Sequence, residues 1–199
     1  MSKLAVLAST KATDMQAIID AIAFKKLNAE IKVVISNKKD AYALKMSKKH
    51  NIKAVFLDSK GKDKEEYDKE IDKILQKEKI DLVLLIGYMR LVSPWLVKKY
   101  ENKIMNIHPS LLPAYAGGMD LDVHEEVLKR GCKITGASLI FIDEGADTGP
   151  IILQKAVDVE ENDTAETLKE RVQKAEQELL IKGIKLFAEG KIKVKGKNG

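Results

Sequence analysis

Short, mostly apolar runs alternate with amphipathic segments through the first half of the chain, and this alternation restricts the fold more than any other feature. The apolar runs are Leu4–Ala8, Ile31–Ile35, Ala54–Leu57 and Asp81–Ile86. After the first, Met15, Ile18, Ile19 and Ile22 fall at i, i+3, i+4 and i+7, with Asp14 placed to cap a helix. Asp40 is placed to cap a second helix through Ala41–His50, with Asn51 at its end. Lys64–Lys79 reads as a third, highly charged helix. Strands apolar on both sides, separated by helices, belong to a parallel sheet covered on both faces.

The second half continues the pattern with longer elements. Pro94 begins a short helix that leads to a strand at Ile104. Asp120–Arg130 reads as a helix closed by Gly131, and Ile134–Ile142 and Ile151–Val159 as two long strands joined by Asp143–Pro150. Asp163 and Glu166 have capping-box spacing and open a helix to about Ala188, with Leu168, Val172, Ala175 and Leu179 on one face. The expectation is a single α/β domain over 1–195. Its sheet is open, doubly wound and mostly parallel, with about seven strands and helices on both faces, Rossmann-like. Residues 196–199 read as a frayed tail.

Composition narrows the function classes. With aromatic residues at 5%, the core is expected to be Ile, Leu, Val and Ala. The one cysteine, Cys132, excludes an internal disulfide and fits a reducing compartment, and no cysteine cluster suits a structural zinc. Net charge is +5, but Lys is spread along helical stretches, as on a solvated surface rather than a nucleic-acid footprint. No apolar run approaches the ~20 residues of a membrane span, and the amino-terminal run is too short for a signal peptide. These features predict a cytoplasmic protein with no nucleic-acid or membrane partner. Small-molecule substrates and a monomeric or homodimeric state are separate expectations, not read from composition.

Chemistry concentrates at Met105–Pro113. Residues two apart on a strand point the same way, so Asn106 and His108 leave the strand end side by side before Pro109 and Pro113 stop it. The carboxyl end of a strand is where an open α/β sheet keeps ligands. Taken alone, Asn106 is a turn residue, His108 a histidine near the core, and Asp147 a loop aspartate between glycines.

Asn106-Ile107-His108-Pro109-Ser110-Leu111-Leu112-Pro113, followed by Asp147-Thr148-Gly149-Pro150-Ile151-Ile152, resembles the signature pair of the folate-dependent formyltransferases. Gly87-Tyr88-Met89-Arg90-Leu91-Val92-Ser93-Pro94 and Arg171-Val172-Gln173-Lys174-Ala175-Glu176 are similar to the branch that formylates glycinamide ribonucleotide. The resemblance runs from Leu4 to about Phe187. It implies direct passage of the formyl group of 10-formyltetrahydrofolate to an amine through a tetrahedral intermediate, without a metal. Asn106 and His108 would stabilise the oxyanion, Asp147 would hold the imidazole, and His108 would move the proton. Folate is expected along Met89, Arg90, Leu91 and Val92, with Asn106 nearby and Lys64 where the family often has Arg. The ribonucleotide is expected at Ala12, Thr13 and Asp14, with Gln173 and Glu176 sharing one face of the last helix.

Two stretches depart from the family. Its Gly-rich turn after the first strand reads Ser9-Thr10-Lys11-Ala12-Thr13-Asp14 here, with Thr10 and Ala12 at glycine positions and Asp14 replacing Asn. A Cβ at position 12 disfavours positive φ. The Ala116–Val123 loop carries an extra Gly118-Met119-Asp120. Two alternatives follow: a formyltransferase for another amine, and a nucleotide-binding domain without activity. Chain length sets the expectation against the tRNA-directed member, with its extra carboxyl-terminal domain, and against the hydrolase with its preceding regulatory domain.

Overall fold

The computed structural model describes residues 1–118 and 120–192, so the expected tail at 196–199 lies outside the described residues. The elements in chain order are β1 (Ser2–Leu7), α1 (Asp14–Ala23), β2 (Ala29–Ser36), α2 (Tyr42–Lys49), β3 (Lys53–Phe56), α3 (Lys64–Lys77) and β4 (Leu82–Leu85). They continue as α4 (Pro94–Lys99), β5 (Ile104–His108), α5 (Asp120–Lys129), β6 (Ile134–Phe141), β7 (Ile151–Asp158) and α6 (Ala165–Ala188). The seven strands form one sheet in the order β3-β2-β1-β4-β5-β6-β7. β1 pairs in parallel with β2 and β4, and β2 with β3, while β6 and β7 are antiparallel. This is the Rossmann-like, mostly parallel α/β architecture.

The chain divides into two compact units, the first ending at Met105 and the second beginning at Asn106. In the first, Leu4, Val6, Val33 and Leu84 are fully buried beside Met15 and Ile18 of α1 and Tyr67, Ile71 and Leu75 of α3. Each of the aliphatic side chains among these stabilises the fold by about 1.5–3 kcal/mol. In the second, β6 is buried from Thr135 to Phe141, whereas β7, an edge strand, is largely exposed. The predicted face of α6, Leu168, Val172, Ala175 and Leu179, is buried, and Leu180 and Ile184 extend it.

Three expected helix caps are corrected. Asp14 does not cap α1: it is the first helical residue and is buried, and the capping position holds Thr13, in helical conformation without a side-chain cap bond. The turn is closed instead by backbone bonds from Met15 N–H to the Ala12 carbonyl (3.0 Å) and Gln16 N–H to the Thr13 carbonyl (3.2 Å). Asp40 does not cap α2, which starts after Ala41. The capping box of α6 is Thr164 with Thr167, one residue later than Asp163 with Glu166. Asp163 is taken by Arg171, whose two terminal nitrogens each lie 2.8 Å from one of its oxygens. That two-pronged bond, foremost, holds the Asp163 carboxyl at about 2. A capping box not foreseen, Asp63 with Glu66, starts α3.

Candidate active site

β5 ends in Asn106 and His108, and the connection between β6 and β7 carries Asp147, which grips both. Asn106 Nδ2 donates to Asp147 Oδ1 (2.9 Å), and His108 Nδ1 lies 3.2 Å from Asp147 Oδ2. The Gly117 N–H donates to the same Oδ2 (3.0 Å). Asp147 sits at φ 56°, a left-handed conformation that Asp tolerates better than most residues. The spacing Asp147-Thr148-Gly149 has a steric reason, since a Cβ at Gly149 would collide with the Phe141 carbonyl oxygen. Burial by itself would raise the Asp147 carboxyl. The bond and charge of His108, the Gly117 N–H and the Asn106 amide outweigh it and hold the carboxyl below its ordinary value.

His108 is buried, and its second ring nitrogen, Nε2, lies 3.1 Å from the Tyr115 carbonyl oxygen. Both ring nitrogens thus face oxygen atoms, which fixes the orientation of the ring. The segment that brings Tyr115 there is braced by residues the sequence reading missed. Ser138, fully buried on β6, donates to the Ser110 carbonyl (2.7 Å) and accepts from the Leu112 N–H (3.0 Å). Gln154 of β7 donates to Ser138 Oγ (2.9 Å) and to the Leu112 carbonyl (3.0 Å). The only signal for this network was a polar residue inside an apolar strand.

In the first unit, the turn after β1 and the loop after β4 meet where the strand order reverses, the place an open α/β sheet offers to ligands. The Ser9 N–H donates to the Gly87 carbonyl (2.9 Å), as does Thr10 Oγ1 (3.3 Å). The Met89 N–H donates back to Ser9 Oγ (2.9 Å). Ala12 is buried at φ 49°, so the turn takes the left-handed geometry that a glycine would adopt freely. Thr13 is exposed at its end.

Met89 and Leu91 are 49% and 58% exposed, while Val92 is buried, so the loop presents apolar side chains outward rather than donating them to the core. Arg90 lies over the Tyr67 ring, 4.6 Å from its centre. Lys64 is exposed at the first position of α3. Arg90 and Lys64 both act on buried Asp68; burial raises its carboxyl, and bonds from Ser93 and these two cations oppose the rise. Gln173 and Glu176 are half-buried on α6 of the second unit, three residues apart. Thus each unit gathers its own group: Asn106, His108 and Asp147 in one, and the 9–14 turn with the 87–92 loop in the other.

Residues 2–184 match the family model described as formyl transferase. The chain belongs to the formyl transferase family. It is 38% identical to the phosphoribosylglycinamide formyltransferase of Haemophilus influenzae over 196 residues, 98% of this chain and 91% of that one. It is also 38% identical over 199 residues to the trifunctional purine biosynthetic protein adenosine-3 of Homo sapiens. That match takes in all of this chain but only 19% of the human protein's length. The crystal structure of glycinamide ribonucleotide transformylase 1 from Symbiobacterium toebii superposes with a TM-score of 0.93 at 38% identity, covering 99% of this formyl transferase and 92% of that chain.

Proposed function

We propose that this formyl transferase moves the formyl group of 10-formyltetrahydrofolate to the amine of glycinamide ribonucleotide, a step of purine biosynthesis. The observation that carries the reading is the Asp147 carboxylate holding Asn106 and His108 together on the end of β5. Attack by the neutral amine on the formyl carbon forms a C–N bond and places negative charge on the formyl oxygen. The amide of Asn106 spends one N–H on Asp147 and keeps a second for that oxygen. His108 Nε2, now directed at the Tyr115 carbonyl, turns to the reacting atoms when substrate takes that carbonyl's place. As the tetrahedral centre collapses, the bond to folate N10 breaks, and the proton lost by the amine is returned to N10 through His108. Asp147, its carboxyl held below the ordinary value, keeps the ring in place throughout.

Folate lies against Met89, Arg90, Leu91 and Val92, with Lys64 toward its acidic end. The ribonucleotide phosphate takes the turn at Ala12, Thr13 and Asp14, and Gln173 and Glu176 hold the rest of the nucleotide. Cysteine usage supports a cytoplasmic setting, and among the described residues no helix is long and apolar enough to cross a membrane.

The test is formyl transfer by the purified protein, followed as conversion of 10-formyltetrahydrofolate to tetrahydrofolate. Turnover that requires glycinamide ribonucleotide supports the proposal. A second reading, transfer to another amine, is favoured by one observation: buried Asp14 carries an acid where the family has a neutral Asn. Calorimetry separates the two readings, because equal binding of glycinamide ribonucleotide and its dephosphorylated riboside moves the assignment to another amine.

A further inference from the structure

The turn after β1 and the loop after β4 are joined through one side chain, Ser9. Its hydroxyl accepts the Met89 N–H (2.9 Å) and donates to Asn37 Oδ1 at the end of β2 (2.7 Å). Its own N–H is spent on the Gly87 carbonyl (2.9 Å). Ser9 is buried, and the three residues it bonds, Asn37, Gly87 and Met89, come from the ends of β2 and β4. The geometry leaves little slack. Gly87 is at φ 59°, and a Cβ there would collide with Thr10 Oγ1. Met89 cannot shift its backbone without breaking the bond to Ser9, and Ser9 cannot shift without carrying Thr10 and the turn behind it.

We propose that Ser9 is a positioning residue through which occupancy of the β1 turn tightens the β4 loop, so that ribonucleotide and folate bind cooperatively. The inference rests on the assignment of those two stretches to the two substrates. Ser9 touches neither substrate. A nucleotide phosphate that orders the 10–14 backbone fixes Ser9, and Ser9 then holds Met89 in its binding conformation. Coupling of this kind is reciprocal, so folate must favour the nucleotide by the same factor.

Tetrahydrofolate and glycinamide ribonucleotide are the probes, because together they form a dead-end pair that binds without reacting. Calorimetry measures the Kd of tetrahydrofolate with the free protein and with the protein saturated by glycinamide ribonucleotide. The wild-type protein is expected to bind tetrahydrofolate roughly tenfold tighter in the second case, within the usual range of coupling between sites. In Ser9→Ala the factor falls to about 1, while Ser9→Thr, which keeps the hydroxyl, retains it. Asn37→Ala, which leaves the hydroxyl in place but unanchored, gives an intermediate factor and serves if Ser9→Ala unfolds. A coupling factor unchanged in Ser9→Ala, or absent from the wild type when both probes bind, overturns the inference. Failure of the wild type to bind either probe instead overturns the proposed function, so the two failures are distinguishable.

Discussion

The Asp147 cluster and the paired loops after β1 and β4 are built in opposite ways. In the first, side chains bind one another: a single half-buried carboxylate accepts from an amide, an imidazole and a backbone N–H. In the second, the backbone makes most of the bonds while Thr13, Met89 and Leu91 face outward. A region that does chemistry must fix charge and direction, and that requires particular side chains. A region that holds ligands can be made from main-chain groups, provided the backbone is held in unusual conformations. Substitutions in the first should therefore cost turnover with little change in binding. Those in the second should act through stability and binding rather than through turnover.

The largest effect is expected from His108→Ala. Turnover should fall by roughly 10² to 10⁴-fold, about 3–5 kcal/mol of barrier, while tetrahydrofolate binding is retained. Steady-state kinetics beside calorimetry check this, and near-wild-type transfer by the variant breaks the division between the two regions.

Next comes Asp147→Asn, which keeps the shape but removes the anion. Three donors converge on the carboxylate, and an amide has only one oxygen to meet them, so turnover should drop by roughly 10²-fold. The same residue predicts a pH effect on stability. Its carboxyl is held below the ordinary value of 3.8 in the folded protein, so its contribution is present above that value. It is lost as pH falls through the lowered folded value. Urea melts should show this acid loss in the wild type and less of it in Asp147→Asn, and identical acid profiles would remove the claim.

What could be read from the sequence follows the same division. The buried strands were legible because burial on both faces leaves an unbroken apolar run, as at Leu82–Leu85. Asn106 and His108 were legible as a pair because two-residue periodicity puts them on one face of β5. The Tyr115 carbonyl against His108 was not, since every residue carries a carbonyl and nothing local marks which one turns inward. Ser138 and Gln154 were missed because their partners lie 28 and 42 residues away in Ser110 and Leu112. Asp163 was misassigned as a cap because the guanidinium of Arg171, 8 residues on, binds both of its oxygens.

A smaller effect is expected at Gly87. Gly87→Ala places a side chain at φ 59° and drives its Cβ into Thr10 Oγ1. The cost should be about 1–3 kcal/mol of stability, read from chemical denaturation, with weakened tetrahydrofolate binding. Adding Thr10→Ala relieves the collision but not the backbone strain, so the double variant should recover only part of the loss. Full recovery would mean that the left-handed conformation at Gly87 is not required.

The smallest effect is the most discriminating, because two opposed terms nearly cancel at Ala12. Alanine in the left-handed region costs roughly 1–2 kcal/mol, a strain that glycine at the same position does not carry. Glycine, however, loses more conformational freedom on folding, by roughly 0.5–1 kcal/mol relative to alanine. Ala12→Gly should therefore stabilise the fold by about 0.5 kcal/mol, a rise of roughly 1–2 °C in Tm for a chain of this size. The sign carries the argument. A rise means that the surrounding bonds, Met15 N–H to the Ala12 carbonyl among them, impose the turn on a residue that resists it. A fall means that alanine holds the turn ready and glycine lets it loosen. Glycinamide ribonucleotide affinity then separates the cases further, since a loosened turn must be ordered again on binding while a merely relaxed one is not. Tighter or unchanged binding in Ala12→Gly accompanies the expected rise in Tm. Weaker binding with a lower Tm would show that alanine at this position prepares the turn for its ligand.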